Sequence, residues 1–376
     1  MYRLYYLLSA LFLASCLSPA SKSDEELALT TDFYKISGPT MGTTYHITYE
    51  DSLGRNLQAQ VDSLLLEVNL SLSTYIDSSL ISRFNKAGQT FDLGTEPEAL
   101  RRHFLNNFLL SQKVYAWSQG FFDPTVMPLV NYWGFGYTPK GKGEQVDSAL
   151  VDSLRSLVGM DKLSLDGTLL RKGVSGMQLD FSAVAKGYGV DVTGDLLTSL
   201  GLCNWLVEIG GEVAASGHSP RGTPWVVGIN KPEEGASPLD FELRLRMDTL
   251  CGILWPSGEM MPIGPHGEVE GARAMRGLAT SGNYRNFYEE GGEKFVHTID
   301  PHSGYTRRSS LLSASILAPT CAEADALATA CMAMGKDDAL KMVQRLKNVE
   351  ACLIFVGPSG KREMGLSQGL GTFLER

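Results

Sequence analysis

The sequence predicts an α+β fold, with mixed and antiparallel sheets packed against helices. Strand and helix patterns follow one another without the repeating strand–helix unit of a doubly wound sheet. No internal repeat runs along the 376 residues. The balance of 43% hydrophobic to 20% charged residues is that of a globular chain with enough apolar side chains for a sizeable core.

The chain opens with Arg3 and an apolar run from Leu4 to Ala14, too short to span a bilayer and built like a secretory leader. It closes on Leu13-Ala14-Ser15-Cys16, which resembles a bacterial lipobox. On that reading residues 1–15 are a signal peptide and Cys16 is the lipidated first residue. The alternative is an ordinary secretory signal with an incidental cysteine. Residues 16–32 are polar and acidic and read as a solvated tether. The expected location is the cell envelope, facing outside the cytoplasm (the periplasmic side), with membrane contact only through the lipid.

Alternation around Gly38-Pro39 and Gly42 predicts two strands and a tight turn over 33–50. Leu57, Val61, Leu64, Leu65 and Val68 recur at helical spacing over 55–70. Further helices are predicted at 97–118 and 182–200. Strands follow at 204–209, 213–216, 225–230, 277–288 and 293–299. The last helices cover 321–334 and 337–347, and a strand lies at 350–356. Residues 250–276 are rich in Gly, Pro and Met without periodicity, which predicts a surface insertion in a single unit spanning 33–376. Beyond Cys16 stand five cysteines, Cys203, Cys251, Cys321, Cys331 and Cys352, with no CxxC or metal spacing. One or two disulfides can form in an oxidising compartment, with no pairing favoured by the spacings, and most of the cysteines are expected as small buried hydrophobes. The formal charge of -9 excludes a nucleic-acid polymer as partner, because phosphate-backbone binding needs a positive footprint.

Three segments can carry chemistry. Leu179 to Gly189 leaves a strand and enters a helix, with Ser182 placed to cap it. Free N–H groups at the helix start, Lys186 and the bare backbone of Gly187 and Gly189 suit a phosphate or diphosphate. The same pattern also fits a plain strand–helix junction with an exposed lysine. Thr320 and Glu323 have capping-box spacing, so a helix starts near Cys321 and puts Asp325 and Thr329 on one face, one turn apart. A carboxylate and a hydroxyl suit Mg2+, while a helix-end Asp and a Thr bonded back to a carbonyl would have purely structural roles. His297, closing a strand before Asp300 and Gly304, can act as a base near neutral pH or be structural. Tyr75 and the Phe121-Phe122-Asp123-Pro124 turn offer rings for stacking on a planar ligand, or for filling a core.

The order of these motifs resembles the ApbE family of FAD:protein FMN transferases. The resemblance runs through Gly38 to Thr43, Ser73-Thr74-Tyr75, Phe122 to Thr125, Asp180 to Asp191 and Gly210-Gly211-Glu212. It continues through Thr280 to Tyr284, His297 to Gly304 and Ala324 to Thr329. It implies an ApbE-like, T-fold-like core working as one catalytic unit. The implied reaction is Mg2+-dependent transfer of FMN from FAD to a Thr or Ser hydroxyl of a partner protein, such as a respiratory or redox subunit, with release of AMP. By that resemblance Asp325, Thr329 and the Ala183 carbonyl bind Mg2+. Met41, Tyr75, Phe122, Asp123, Lys186 and His297 line the FAD site, and His297, supported by Asp300, is the catalytic base. Two alternatives keep the same site: an FAD diphosphatase yielding FMN and AMP, and a lipoprotein that binds flavin without chemistry. The chain departs from the family where His302-Ser303 follows Asp300-Pro301 and where Ala214 replaces a common Arg. Arg285, Arg307 and Arg308 are the nearby cations expected to compensate.

Overall fold

A computed structural model describes residues 33–136, 146–233, 237, 240–247, 276–282, 287–290, 293–296, 298–306 and 309–375. The leader, Cys16, the tether, residues 250–275 of the predicted insertion, His297, Arg285, Arg307 and Arg308 lie outside the described residues.

The chain begins with β1 (Phe33–Thr40), β2 (Thr43–Glu50), α1 (Gln58–Leu72), α2 (Leu80–Lys86) and β3 (Thr90–Asp92). Next come α3 (Glu98–Trp117), α4 (Met127–Tyr132), α5 (Ser148–Arg155), β4 (Leu163–Asp166) and β5 (Leu169–Lys172). They are followed by α6 (Ala185–Ser199), β6 (Trp205–Ile209), β7 (Glu212–Ser216), β8 (Trp225–Asn230) and β9 (Phe241–Met247). The rest is β10 (Arg276–Gly282), β11 (Phe287–Glu290), β12 (Glu293–Val296), β13 (Leu311–Ala318), α7 (Cys321–Met334), α8 (Lys336–Arg345), β14 (Glu350–Val356) and β15 (Arg362–Leu366).

Eight strands form the central sheet in the order β1-β2-β6-β7-β10-β13-β14-β15, and every pairing in it is antiparallel. The fold is therefore α+β, as predicted. The β1–β2 hairpin closes through Met41 and Gly42, both at positive φ (49° and 73°), the mirror-image turn that matches strand twist. Successive side chains on a strand point to opposite faces, and both faces of the sheet are covered. On one face Ile316, Ala318, Ala351 and Leu353 pack in a core with the α7 and α8 side chains Leu327 and Met342. On the other, Leu317, Cys352 and Ile354 pack with Trp225, Ile229, Leu245 and Met247 of the β8–β9 ribbon.

That double cover makes β7 buried at every position and β13 buried at all but one. Likewise α7, enclosed between the sheet, α3 and α6, is buried all round except at Thr329. The expected strand 277–288 divides into β10 and β11. Helix α6 starts at Ala185 rather than at Ser182, which is not its cap. Asp180 instead accepts hydrogen bonds from the Ser182 backbone N–H and hydroxyl (both 2.9 Å) and folds 180–184 into a turn. Cys321, Cys331 and Cys352 are free and buried, whereas Cys203 is disulfide-bonded. Among the described residues no helix is long and apolar enough to cross a membrane.

Candidate active site

A cleft of about 860 Å³ opens where α6, α7, β10 and the 121–124 turn meet. Tyr75, Phe122, Asp123, Ala183, Lys186, Asp325 and Thr329, all named from the sequence, line it. Two are placed elsewhere. Met41 packs at the junction of two hydrophobic cores, against Gly189, where a Cβ would come within 2.8 Å of Met41 Cε. Asp300 is not among the lining residues, although its neighbours Ile299 and Pro301 are, and it accepts the His302 backbone N–H at 2.9 Å.

Helices α6 and α7 meet so closely that a Cβ on Gly187 would lie 2.3 Å from the Cys321 carbonyl oxygen. That contact lets Asp325, buried in α7, reach across to α6. Its Oδ2 accepts the Gly187 N–H at 3.1 Å and lies 3.6 Å from Lys186 Nζ. A carboxylate this deep needs such partners to offset its desolvation. The Gly187 N–H lies in the first turn of α6, three residues beyond the cap Val184, where a helix N–H has no intrahelical partner. Ala183, which lines the cleft, precedes that cap, and none of the described residues donates to its carbonyl. Thr329, one turn beyond Asp325, shares a 3.2 Å hydroxyl contact with Ser281 of β10.

The electrostatics are lopsided. Among the described residues lining the cleft, Lys186 stands against the carboxyls of Asp123, Asp180, Glu212 and Asp325. Lys186 Nζ donates to Glu212 Oε1 at 2.8 Å. Burial works against its charge, but Asp325 and Glu212 outweigh that and raise its pKa. Burial pushes Glu212 up to about 7, with Lys186 opposing and Asp325 adding to the rise. Burial likewise raises Asp123 to about 6, although hydrogen bonds from Thr125 and Met160 oppose it. Asp123 Oδ1 accepts both the Thr125 N–H (2.8 Å) and its hydroxyl (2.5 Å), so this carboxyl also builds the turn that carries Phe122. Burial raises Asp180 as well.

The donor set fits a hard divalent cation. It comprises one carboxylate, one hydroxyl and one unclaimed carbonyl, all oxygens, as Mg2+ prefers when it keeps several waters. Among the described residues no group of three or more His, Cys, Asp or Glu side chains could hold a metal, so a cation here would take its remaining ligands from water or substrate oxygens. The charge balance points the same way, since an anionic diphosphate would meet net negative protein unless a cation came with it.

Glu212, Asp180 and Ser281 belong to this site, yet sequence reasoning gave them no role. Glu212 enters the sequence reading only as the end of the Gly210-Gly211-Glu212 motif. Its place beside Lys186 follows from Gly210 at φ 60°, whose Cβ position lies 3.4 Å from Lys186 Cδ. Ala214, at the position where an Arg is common, is buried in the sheet's helix-side core and does not line the cleft.

Comparisons with known proteins identify the class to which this fold and cleft belong. Residues 41–353 match the ApbE family, and the chain belongs to that family. It is 33% identical to an FAD:protein FMN transferase of Vibrio cholerae over 342 residues, covering 90% of this chain and 89% of the relative. To the Haemophilus influenzae FAD:protein FMN transferase it is 32% identical, covering 88% of each. The solved Vibrio cholerae flavin transferase ApbE superposes with a TM-score of 0.73 at 30% identity, covering 91% of this chain and 99% of that one. The apo form of the Pseudomonas stutzeri flavinyl transferase ApbE gives 0.72 at 32% identity, covering 91% and 96%.

Proposed function

We propose that this protein transfers FMN from FAD to a Ser or Thr hydroxyl of a partner protein with Mg2+ present, forming a phosphoester and releasing AMP. The observation that carries the reading is that Ala183, Asp325 and Thr329 line one cleft with Tyr75, Phe122 and Lys186, whose Nζ lies 3.6 Å from Asp325. The names of the relatives, FAD:protein FMN transferase, support it.

The cleft residues divide the work. Tyr75, exposed at the cleft edge, offers a ring face to a flavin or adenine, while Phe122, packed in the hydrophobic core, lines the cleft wall. Lys186 supplies positive charge to the diphosphate, held in place by Glu212. Asp325, Thr329 and the Ala183 carbonyl would hold Mg2+, which when bound neutralises charge developing on the phosphate oxygens. The acceptor hydroxyl oxygen attacks the FMN phosphorus. The bond from that phosphorus to the bridging oxygen breaks, and AMP leaves with the electron pair. His297 is the candidate base for the hydroxyl proton.

Incubating the protein with FAD, Mg2+ and an acceptor domain tests this directly. A covalently fluorescent acceptor is the expected result. Free FMN beside an unlabelled acceptor would instead identify a diphosphatase, and tight FAD binding without turnover a flavin carrier. The leader-like residues 1–15 and Cys16 support lipid anchoring in the cell envelope. In that case Cys16→Ala would release the protein from the membrane fraction.

A further inference from the structure

Among the described residues lining the cleft, Lys186 is the cation, and it is already engaged. Its Nζ lies 2.8 Å from Glu212 Oε1 and 3.6 Å from Asp325 Oδ2, so one ammonium spans two buried carboxylates. Asp325 is also the candidate cation ligand, which makes Lys186 the present counter-charge of that position. Glu212 is used unevenly. Its Oε1 holds Lys186, while Oε2 is buried without a hydrogen-bond partner among the described residues. An acceptor left so is costly and points to a donor that arrives in another state of the site.

We propose that Lys186 competes with a divalent cation for Asp325, yielding that carboxylate when the cation binds and kept in the cleft by Glu212. The inference rests on the cation site assigned above. An ammonium carries three N–H donors, so Lys186 can serve the second oxygen of Glu212 once it leaves Asp325. Asp325 does not lose its anchorage in the exchange, because the Gly187 N–H still holds Oδ2. Lys186 therefore competes with a cation that binds alone. Phosphates that draw the ammonium toward themselves relieve that competition, so nucleotide and cation favour each other's binding. Glu212 acts through Lys186 and is a positioning residue.

The test is calorimetric titration of Mg2+ alone into the nucleotide-free protein, without any turnover. Four proteins are compared: wild type, Lys186→Met, Glu212→Gln and the double variant, whose replacements roughly preserve volume. Lys186→Met is expected to bind Mg2+ about fivefold more tightly or better, and Glu212→Gln more weakly by a similar factor. In the Lys186→Met background the Glu212 replacement should have no remaining effect, because the residue it positions is gone. Effects that simply add, at about 0.5 M salt where distant charges are screened, would mean two fixed charges and overturn the proposal. Equal Mg2+ affinity in wild type and Lys186→Met would overturn it too. Asp325→Asn is run alongside. Undiminished binding in that variant removes the cation site itself, a failure distinct from additivity among the other four.

Discussion

Asp191 and Asp325 reach between the same two helices in opposite directions. Asp191 of α6 accepts the N–H groups of Cys321 and Ala322, both at 2.8 Å, and so caps the start of α7. Asp325 of α7 accepts the Gly187 N–H in the first turn of α6. Each helix start thus gives otherwise unpaired donors to a carboxylate of its neighbour. Burial raises Asp191 to about 8 against these two hydrogen bonds. The exchange ties the first turn of α6 to the Asp325 side chain.

Gly187→Ala should therefore damage stability and function together. The added Cβ meets backbone, the Cys321 carbonyl oxygen, which cannot swing aside as a side chain does. Overpacking of this kind costs about 1–3 kcal/mol. Urea denaturation should show a lowered midpoint with an unchanged slope, and Mg2+ affinity should fall. An unaltered midpoint would mean the helices separate easily.

Asp325→Asn should fold and yet lose transfer activity by a factor on the order of a hundred or more. The amide keeps an acceptor for the Gly187 N–H but removes the anionic ligand. Circular dichroism and single-turnover flavinylation at limiting Mg2+ measure the two properties separately. Near-normal turnover there would place the cation elsewhere.

Stability should carry a pH signature from Asp123. Its carboxyl is raised to about 6 by burial, so the folded state holds the proton more tightly than the unfolded chain does. The stability this contributes is fully present below about pH 4, the ordinary range of an Asp, and is lost as pH rises through the raised value. Asp123→Asn has no such proton. Between about pH 4 and 7 its denaturation midpoint should therefore drop less than that of wild type. Parallel curves would show that Asp123 titrates normally.

Tyr75 is 73% exposed at the cleft edge, so removing its ring withdraws little from the core. Tyr75→Ala should leave thermal stability unchanged while weakening FAD binding by about five- to tenfold, the scale of one stacking contact. Quenching of flavin fluorescence on binding would measure it. A loss of stability with intact affinity would reverse the assignment.

Local signals made much of this architecture legible. Thr320 accepts the Glu323 N–H at 3.2 Å and α7 begins at Cys321, as the capping-box spacing indicates. The α7 pair Asp325 and Thr329 and the α6 residue Lys186 were readable because a helix fixes which side chains share a face. Strand β13 was not readable. Its Leu-Leu-Ser-Ala-Ser-Ile-Leu-Ala run lacks the alternation of a half-buried strand, because both faces of the sheet are covered. The three-stranded sheet β3-β5-β4 escaped for another reason, being built from segments of three or four residues. Glu212 and Ser281 stand 26 and 48 residues from Lys186 and Thr329, their contacts in the cleft, so only tertiary packing reveals those pairs.

The first residue of α7 is confined from two sides. Gly187 leaves no space for a methyl against the Cys321 carbonyl, and a Cβ on Gly277 of β10 would lie 2.2 Å from Cys321 Cα. Helix α7 thus cannot slide or tilt without carrying both α6 and the middle of the sheet along. The oxygen donors Asp325 and Thr329 midway along it form a fixed anvil, while Tyr75 stands exposed at the rim. Sequence change at that rim can retune which acceptor is admitted without disturbing the chemistry beneath it. A family built this way can keep one reaction and diversify its clients.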